Sequence, residues 1–329
     1  MELSLDARIL RSLRAAGHVP AAQLAAELGT DVKNLAARLG ELRRAGFEIE
    51  EHPHLGCRLL APPDRIIADD LASRLGGRCA LVREILVFEK TRSTSDLAAQ
   101  FGHDGAAEGV IVFAETQTAG RGRLGRKWES TTREGLWFSV LLRPELPLHE
   151  WTRLTTWAAV AVARGIEDAL RDVRLRVQVK WPNDIYLGGK KIVGILTESH
   201  TCERGAFAVV GIGVNVNQLH FPAELAGRAG SLRQAVGHAL DRVATAAAIL
   251  RRLDESYPQI VCGFASLLAE AESRSFLRGR HIELRCGNET LAGVAESLDE
   301  NGALQVRESS GALRTVFSGE ASILPSGTG

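Results

Sequence analysis

The sequence predicts an α+β protein in three segments, and three observations predict it. At the start, apolar residues recur every three to four positions, as in helices, before a short alternating stretch. The middle alternates apolar strands with longer helices, and tight links such as Gly188-Gly189 join neighbouring strands as hairpins. That pattern argues for a central mixed β-sheet with packed helices rather than a doubly wound parallel sheet. The end holds short strands punctuated by Gly-Asn, Glu-Asn-Gly and Ser-Ser-Gly, the spacing of a small all-β barrel. The segments run 1–62, 66–272 and 275–329, and 329 residues with 45% hydrophobic content suit two to three domains with real cores.

Composition narrows the function classes. Lys plus Arg equals Asp plus Glu at 40 each, so no global field draws the chain onto nucleic acid or anionic membrane, and any basic site must be local. "MELSLDARILRSLR" mixes acids and bases without an apolar secretory core, and no apolar run approaches the roughly 20 residues that span a bilayer, so a soluble cytoplasmic protein is expected. The five cysteines, at 57, 79, 202, 262 and 286, form no C-x-x-C pair. They read as buried thiols, with neither a metal site nor a disulfide framework.

In the first segment Leu5, Ile9 and Leu13 recur every four residues behind an N-cap at Ser4, and Gly17 ends the pattern. A short helix with Leu24 and Leu28 follows, then a turn at Gly29 and Thr30. A longer helix comes next, with Val32, Leu35, Leu39 and Leu42 directed inward. This is helix-turn-helix spacing. Lys33, Asn34, Ala37 and Arg38 fall on the outward face, where Lys33, Asn34 and Arg38 are candidates for phosphates and base edges. "FEIEEHPHLGCRLL" alternates like two strands about Pro53 and Gly56, which makes the module a winged helix-turn-helix. The competing reading is a small helical packing module, because eight basic and eight acidic residues over 1–60 leave little net attraction for DNA. "APPDR", 61–65, reads as a proline-bearing linker.

The middle segment carries the chemistry. "TQTAGRGRLGRKWES", 116–130, places Arg121, Arg123, Arg126 and Lys127 among glycines, directly after the apolar strand residues Val110 to Phe113. A solvated surface loop would look similar. A loop fed by a buried strand is held in place, however, and its glycines at 120, 122 and 125 let backbone N–H groups approach a ligand while guanidinium forks suit carboxylate or phosphate. An anion site is the physical reading. In "VRLRVQVKWPND" the alternation of Val173, Leu175, Val177 and Val179 puts Lys180 on the polar face at the end of a strand that Pro182 and Asn183 stop. Lys180 then serves an anion or neutralises Asp184. Ser93, Thr94 and Ser95 lie between a strand and a helix, as N-caps or as pocket hydroxyls. "VVGIGVNVN", 209–217, is an apolar strand with small residues, suited to a flat ring lying on it.

Together "AGRGRLGRKW", "KWPNDIY", "KIVGILTE" and "GIGVNVN", in this order and preceded by "STSD", resemble the motifs of the biotin protein ligases (biotin–acetyl-CoA-carboxylase synthetases). The N-terminal module extends the resemblance to the bifunctional subgroup that also represses biotin operons. The resemblance implies a class II synthetase-like catalytic segment and an SH3-like C-terminal barrel. The activity it implies is a two-step acyl transfer, with ATP and Mg²⁺ as cofactors and biotin as substrate. Its implied partners are a biotin carboxyl carrier protein, a DNA operator and a second copy of the chain upon binding biotinyl-5'-AMP, with no membrane.

Carried over motif by motif, Ser93, Thr94, Ser95 and Gln117 are expected to line the biotin ring pocket. Gly120, Arg121, Gly122 and Arg123 are expected to close over the carboxyl and phosphate, and Lys180 to touch both, with Lys180 and Arg123 holding the charge of reaction. The expected nucleotide contacts are Arg121, Arg126, Trp128, Asn183 and Asn215, Trp128 by stacking on adenine and Asn215 by hydrogen bonding. No resident metal ligands are expected. Position 95 is Ser where the family usually has Asn, and position 124 is Leu where bifunctional members tend to have Arg. The rival readings are a lipoate or octanoate ligase on the same fold, a biotin-sensing transcription factor whose ligase site only binds effector, and a ligase whose helix-turn-helix no longer binds DNA.

Overall fold

The computed structural model describes residues 2–76, 79–170, 175–287 and 289–324. It opens with helices α1 (Leu5–Ala15), α2 (Ala21–Leu28) and α3 (Val32–Arg44) and an antiparallel hairpin, β1 (Glu48–His52) and β2 (Gly56–Ala61). The Ser4 hydroxyl accepts from the Ala7 N–H at 3.0 Å, the cap expected for α1. Gly29 closes α2 in the left-handed conformation. Ile9, Leu10, Leu13, Leu24, Leu35, Leu39, Leu42 and Phe47 form one buried cluster. Val32, expected inside, is 49% exposed, because it opens α3 at the rim of the three-helix packing. Gly56 is required on the hairpin: its φ is +93°, and a Cβ there would lie 2.1 Å from the Val19 carbonyl oxygen.

Helix α4 (Ala68–Leu75) follows, an element the sequence reading does not include. It changes the meaning of the linker. Asp70 of α4, fully buried, pairs with Arg14 of α1 and Arg74, and Ala7 of α1 joins the large core cluster rather than that of its own module. Residues 61–67, which include the proline-bearing stretch 61–65, thus run between packed elements.

The middle continues through β3 (Glu84–Thr91), α5 (Thr94–His103), β4 (Val110–Gln117), β5 (Gly135–Leu142), α6 (Thr152–Ala169), β6 (Gln178–Lys180), β7 (Asp184–Leu187), β8 (Lys190–Cys202), β9 (Gly205–Asn215), α7 (Leu232–Val236), α8 (Arg242–Ser256) and α9 (Phe264–Ser273). The seven strands form one mixed sheet in the order β3-β4-β5-β9-β8-β7-β6, with β3 and β4 parallel and the other neighbours antiparallel. Helices α6 and α8 cover one face, burying Phe113, Phe138, Val210, Ile212 and Trp157. Helix α5 covers part of the other, over Val112, Leu141 and Val209. Central strands buried on both faces have to be apolar throughout, which is why β4 and β5 are near-continuous hydrophobic runs.

Two boundaries differ from expectation. The strand read over 173–179 is regular only at Gln178–Lys180, since its partner β7 offers just Asp184 to Tyr186 for pairing; Val173 and Arg174 lie outside the described residues. The single helix read from 241 to 264 ends at Ser256, gives way to a 3₁₀ turn containing Pro258, and restarts after Gly263 as α9.

The last segment is a five-stranded antiparallel sheet of β10 (His281–Cys286), β11 (Glu289–Leu298), β12 (Leu304–Arg307), β13 (Leu313–Val316) and β14 (Glu320–Ile323), ordered β13-β12-β11-β10-β14. Leu277, Ile282, Leu284, Ala295, Leu304, Val306 and Ala321 form its core, and Trp181 of the middle segment is buried among them. The cysteines correct the sequence reading: all are free, only Cys57 is fully buried, and Cys262 is exposed after the 3₁₀ turn. The other three are partly exposed; Cys202 and Cys286 end strands, where burial is incomplete.

Candidate active site

One cavity of about 590 Å³ opens on the face of the sheet between the start of α5, β9, β8 and the C-terminal sheet. It has the size of a site for a cofactor-like or drug-sized ligand. Its walls begin at the β3–α5 junction. The Ser93 hydroxyl caps α5 by accepting from the Asp96 N–H, which turns Thr94 and Ser95 inward. Thr94 donates its N–H to Gln117 Oε1 at 2.8 Å, and Gln117 donates to Ser130 Oγ at 3.0 Å. The Thr94 and Ser95 hydroxyls lie 2.8 and 3.1 Å from Ser139 Oγ. Ser139, fully buried, was missed in the sequence, although a lone hydroxyl inside "LWFSVLL" was a signal for it.

Residues 118–134 arch over this wall. Gly122 N–H donates to the Arg126 carbonyl at 2.7 Å and Trp128 N–H to the Gly120 carbonyl at 2.9 Å, folding the arginine stretch into a narrow loop. Its tip is Leu124, 75% exposed with φ of 56°, a left-handed conformation that costs a leucine energy. The Trp128 indole lies on the sheet: a Cβ at Gly213 would meet it at 2.5 Å and one at Gly194 at 2.6 Å. The flat ring for which "GIGVNVN" is suited is thus a side chain of the loop. Its Nε1 is buried without a hydrogen-bond partner. Lys191 Nζ stands 5.5 Å from the ring centroid.

The charges around the cavity divide into two sets. Arg121 pairs with Asp96 at 2.7 Å and Glu198 at 3.0 Å, Lys127 with Glu129 at 2.7 Å, Lys191 with Asp184 at 2.7 Å, and Arg126 with Glu320. Lys180 and Arg123 form no ion pair among the described residues. Arg123 donates to Asn183 Oδ1 and to the Gly319 carbonyl, each at 3.2 Å. Lys180 Nζ lies 5.5 Å from the Tyr186 ring centroid. Burial holds the pKa of both cations below their ordinary values, Lys180 against the opposing pull of Asp184. Burial also pushes the Tyr186 phenol up to about 12. Asp184 and Glu320 offset part of this charge from a distance, and two half-buried cations facing one cavity without an ion pair of their own among the described residues suit anions.

Every expected small-molecule contact except Gly120 lines this cavity: Ser93, Thr94, Ser95, Gln117, Arg121, Gly122, Arg123, Arg126, Trp128, Lys180, Asn183 and Asn215. Gly120 has another task, since a Cβ there would lie 2.7 Å from the Trp128 carbonyl oxygen. The Asn215 amide donates to the Gly230 carbonyl at 3.0 Å, and that of Asn183 to the Ile195 carbonyl at 2.6 Å. Gly319 to Ile323 of the C-terminal sheet complete the rim, a contribution that strand spacing could not reveal. Among the described residues no three His, Cys, Asp or Glu side chains gather as metal ligands, and no helix is long and apolar enough to cross a membrane.

Lys33, Asn34 and Arg38, singled out on α3, do not line this cavity. Lys33 and Asn34 are exposed, with Asn34 donating to Thr30 Oγ1 at 2.8 Å. Arg38 turns back onto α1, where it holds Asp6, and also pairs with Glu41. Its guanidinium is engaged rather than presented outward.

A mixed sheet thus carries an arginine-glycine loop beside Lys180 and Arg123, two half-buried cations with no ion pair among the described residues. The model of the biotin/lipoate A/B protein ligase family matches residues 87–217, and that of the biotin protein ligase C-terminal domain matches 278–324. The bifunctional ligase/repressor BirA of Bacillus subtilis is 36% identical over 285 residues, 85% of this chain and 86% of that protein. The biotin–[acetyl-CoA-carboxylase] ligase of Mycobacterium tuberculosis is 33% identical, covering 74% of this chain and 90% of its own. The solved biotin protein ligase of Aquifex aeolicus, in complex with biotin and ATP, superposes with a TM-score of 0.63 at 29% identity, over 74% of this chain and all of that one. The chain belongs to the biotin/lipoate A/B protein ligase family, and within it to the biotin protein ligases.

Proposed function

We propose that the chain activates biotin with ATP and transfers it to a lysine of a biotin carboxyl carrier protein. A biotin carboxylate oxygen attacks the α-phosphorus, the bond to the β-phosphate oxygen breaks, and pyrophosphate leaves. The acceptor amine then attacks the acyl carbon of biotinyl-5'-AMP, AMP departs with the C–O bonding pair, and the amine proton passes to solvent. The observation that carries this reading is the pairing pattern: of the cations on the loop and β6–β8, Lys180 and Arg123 alone are half-buried without a carboxylate partner. They suit two anions that must approach each other, since holding both lowers their repulsion and meets the charge that grows on the phosphoryl oxygens. The hydroxyls of Thr94, Ser95 and Ser139 suit the polar biotin ring. Magnesium enters with the triphosphate as part of that substrate. The cavity's own carboxylates, Glu129, Asp184 and Glu320, are each engaged by a cation.

Pyrophosphate release measured in parallel with biotin, lipoate and octanoate tests this reading. Biotin alone is expected to support it; release with lipoate or octanoate but not biotin would move the chain to the lipoate side of its family.

On the same reading 1–62 is a winged helix-turn-helix domain, 66–272 a class II synthetase-like catalytic domain and 275–329 an SH3-like barrel. The first would bind an operator as a homodimer in the presence of biotinyl-5'-AMP. Support comes from the three helices and hairpin, from exposed Lys33 and Asn34, and from the ligase/repressor name of the Bacillus relative. The module is neutral overall, so its attraction to DNA rests on local cations, and each phosphate they neutralise makes binding weaken as salt rises. A mobility shift at low salt that requires biotin with ATP is the expected result; no shift under any of these conditions ends the repressor reading.

A further inference from the structure

Arg242 opens α8 outside the cavity wall, yet it is 2% exposed and bonded to three separate pieces of chain. Nη1 donates to Glu115 Oε2 at 2.8 Å and to the Gly135 carbonyl at 3.0 Å. Nη2 donates to Glu115 Oε1 and to the Asp64 carbonyl, both at 3.3 Å, and Nε to Asp64 Oδ1 at 3.2 Å. Glu115 in turn accepts the Ile66 N–H at 2.6 Å.

The positions of these partners in the sequence give the arrangement its meaning. Glu115 lies near the end of β4, two residues before Gln117 of the cavity wall, and Gly135 is the first residue of β5. Everything between the two strands is the loop that carries Arg121, Arg123 and Trp128. One guanidinium therefore grips both stems of that loop and ties them to 64–66, the segment joining the N-terminal module to the sheet. Neutralising a buried carboxylate requires only one or two donors. Here all three nitrogens are used, on partners whose spacing sets the separation of the stems, a task for which a rigid fork is suited and an ammonium is not.

We infer that Arg242 is a positioning residue for the loop 118–134. By fixing the distance between the stems it holds Arg123 and Trp128 over the cavity, and it makes the seating of residues 64–66 part of the same constraint. This rests on the reading of the loop as the cover of the reaction site.

Hydrogen exchange of the full chain, with and without biotin plus ATP, tests the inference using Arg242→Lys and Asp64→Ala. A lysine keeps a charge for Glu115 but cannot also reach Gly135 and Asp64. Amides of 118–134 should then exchange roughly tenfold faster, the effect of losing one charge-assisted hydrogen bond, while those of α6 keep their rates. KM for ATP should rise more than kcat falls. Asp64 has a 74% exposed side chain, so Asp64→Ala should fold even where Arg242→Lys does not, and should speed exchange in the same loop by a smaller factor. Unchanged loop exchange in Asp64→Ala, or acceleration spread equally through α6, would overturn the inference. The exchange of the ligand-free chain is read without catalysis, so it stands apart from any failure of the pyrophosphate assay.

Discussion

Lys180→Ala should lower biotin-dependent pyrophosphate release by about 10²- to 10³-fold, the usual effect of removing one preorganised electrostatic stabiliser. The ammonium is half-buried and has no ion pair among the described residues, so its charge is available to incoming oxygens. The stopped assay should show the loss mainly in kcat, because the charge on the phosphoryl group is largest at the transition state. A pH profile gives a second check. The protonated form is the competent one, and burial holds its pKa below the ordinary 10.5. Activity should therefore be complete at neutral pH and lost as pH rises through that lowered value, before an ordinary lysine would titrate. Lys180→Arg, if it retains activity, should lack this alkaline limb. A profile flat to the pH where the fold fails, or an alanine variant within threefold of wild type, would remove Lys180 from the reaction.

Glu115→Ala should cost about 3–5 kcal/mol of stability, because it leaves the buried Arg242 with the Asp64 carboxylate at 3.2 Å as its remaining ion-pair partner among the described residues. The Glu115 and Arg242 side chains are each 1% exposed. The double substitution Glu115→Leu with Arg242→Met should recover most of that loss, since it removes both charges and leaves apolar groups of similar size. Denaturant midpoints for the single and double variants separate the cases. A single variant within about 0.5 kcal/mol of wild type would mean that the pair is solvated in a way its burial denies.

Much of the site was legible because its chemistry is local in sequence. The arginine loop follows a strand whose Val110 to Phe113 are unmistakably apolar, and Lys180 sits at a strand end marked by Pro182. The unread parts depend on the third dimension. Ser139 looks like an interruption in an apolar strand until α5 brings Thr94 and Ser95 over it. Arg242 looks like an ordinary helix-start cation, and its three partners are separated from it by 107 to 178 residues. Proline content in 61–65 reports local stiffness and says nothing of Glu115 accepting the Ile66 N–H. Arg38 was placed by helical phase on an outward face, but a long side chain can fold back, and Asp6 captures it.

Trp181 follows Lys180 directly, and its indole is buried in the C-terminal core, donating to the Gly302 carbonyl at 3.0 Å. The lysine backbone is thus moored to a sheet that begins a hundred residues later. In engineering terms the tail is not an interchangeable part. A chimera that took its last segment from a relative would have to bring a matching socket for this indole, or it would shift the ammonium without altering any residue of the catalytic segment.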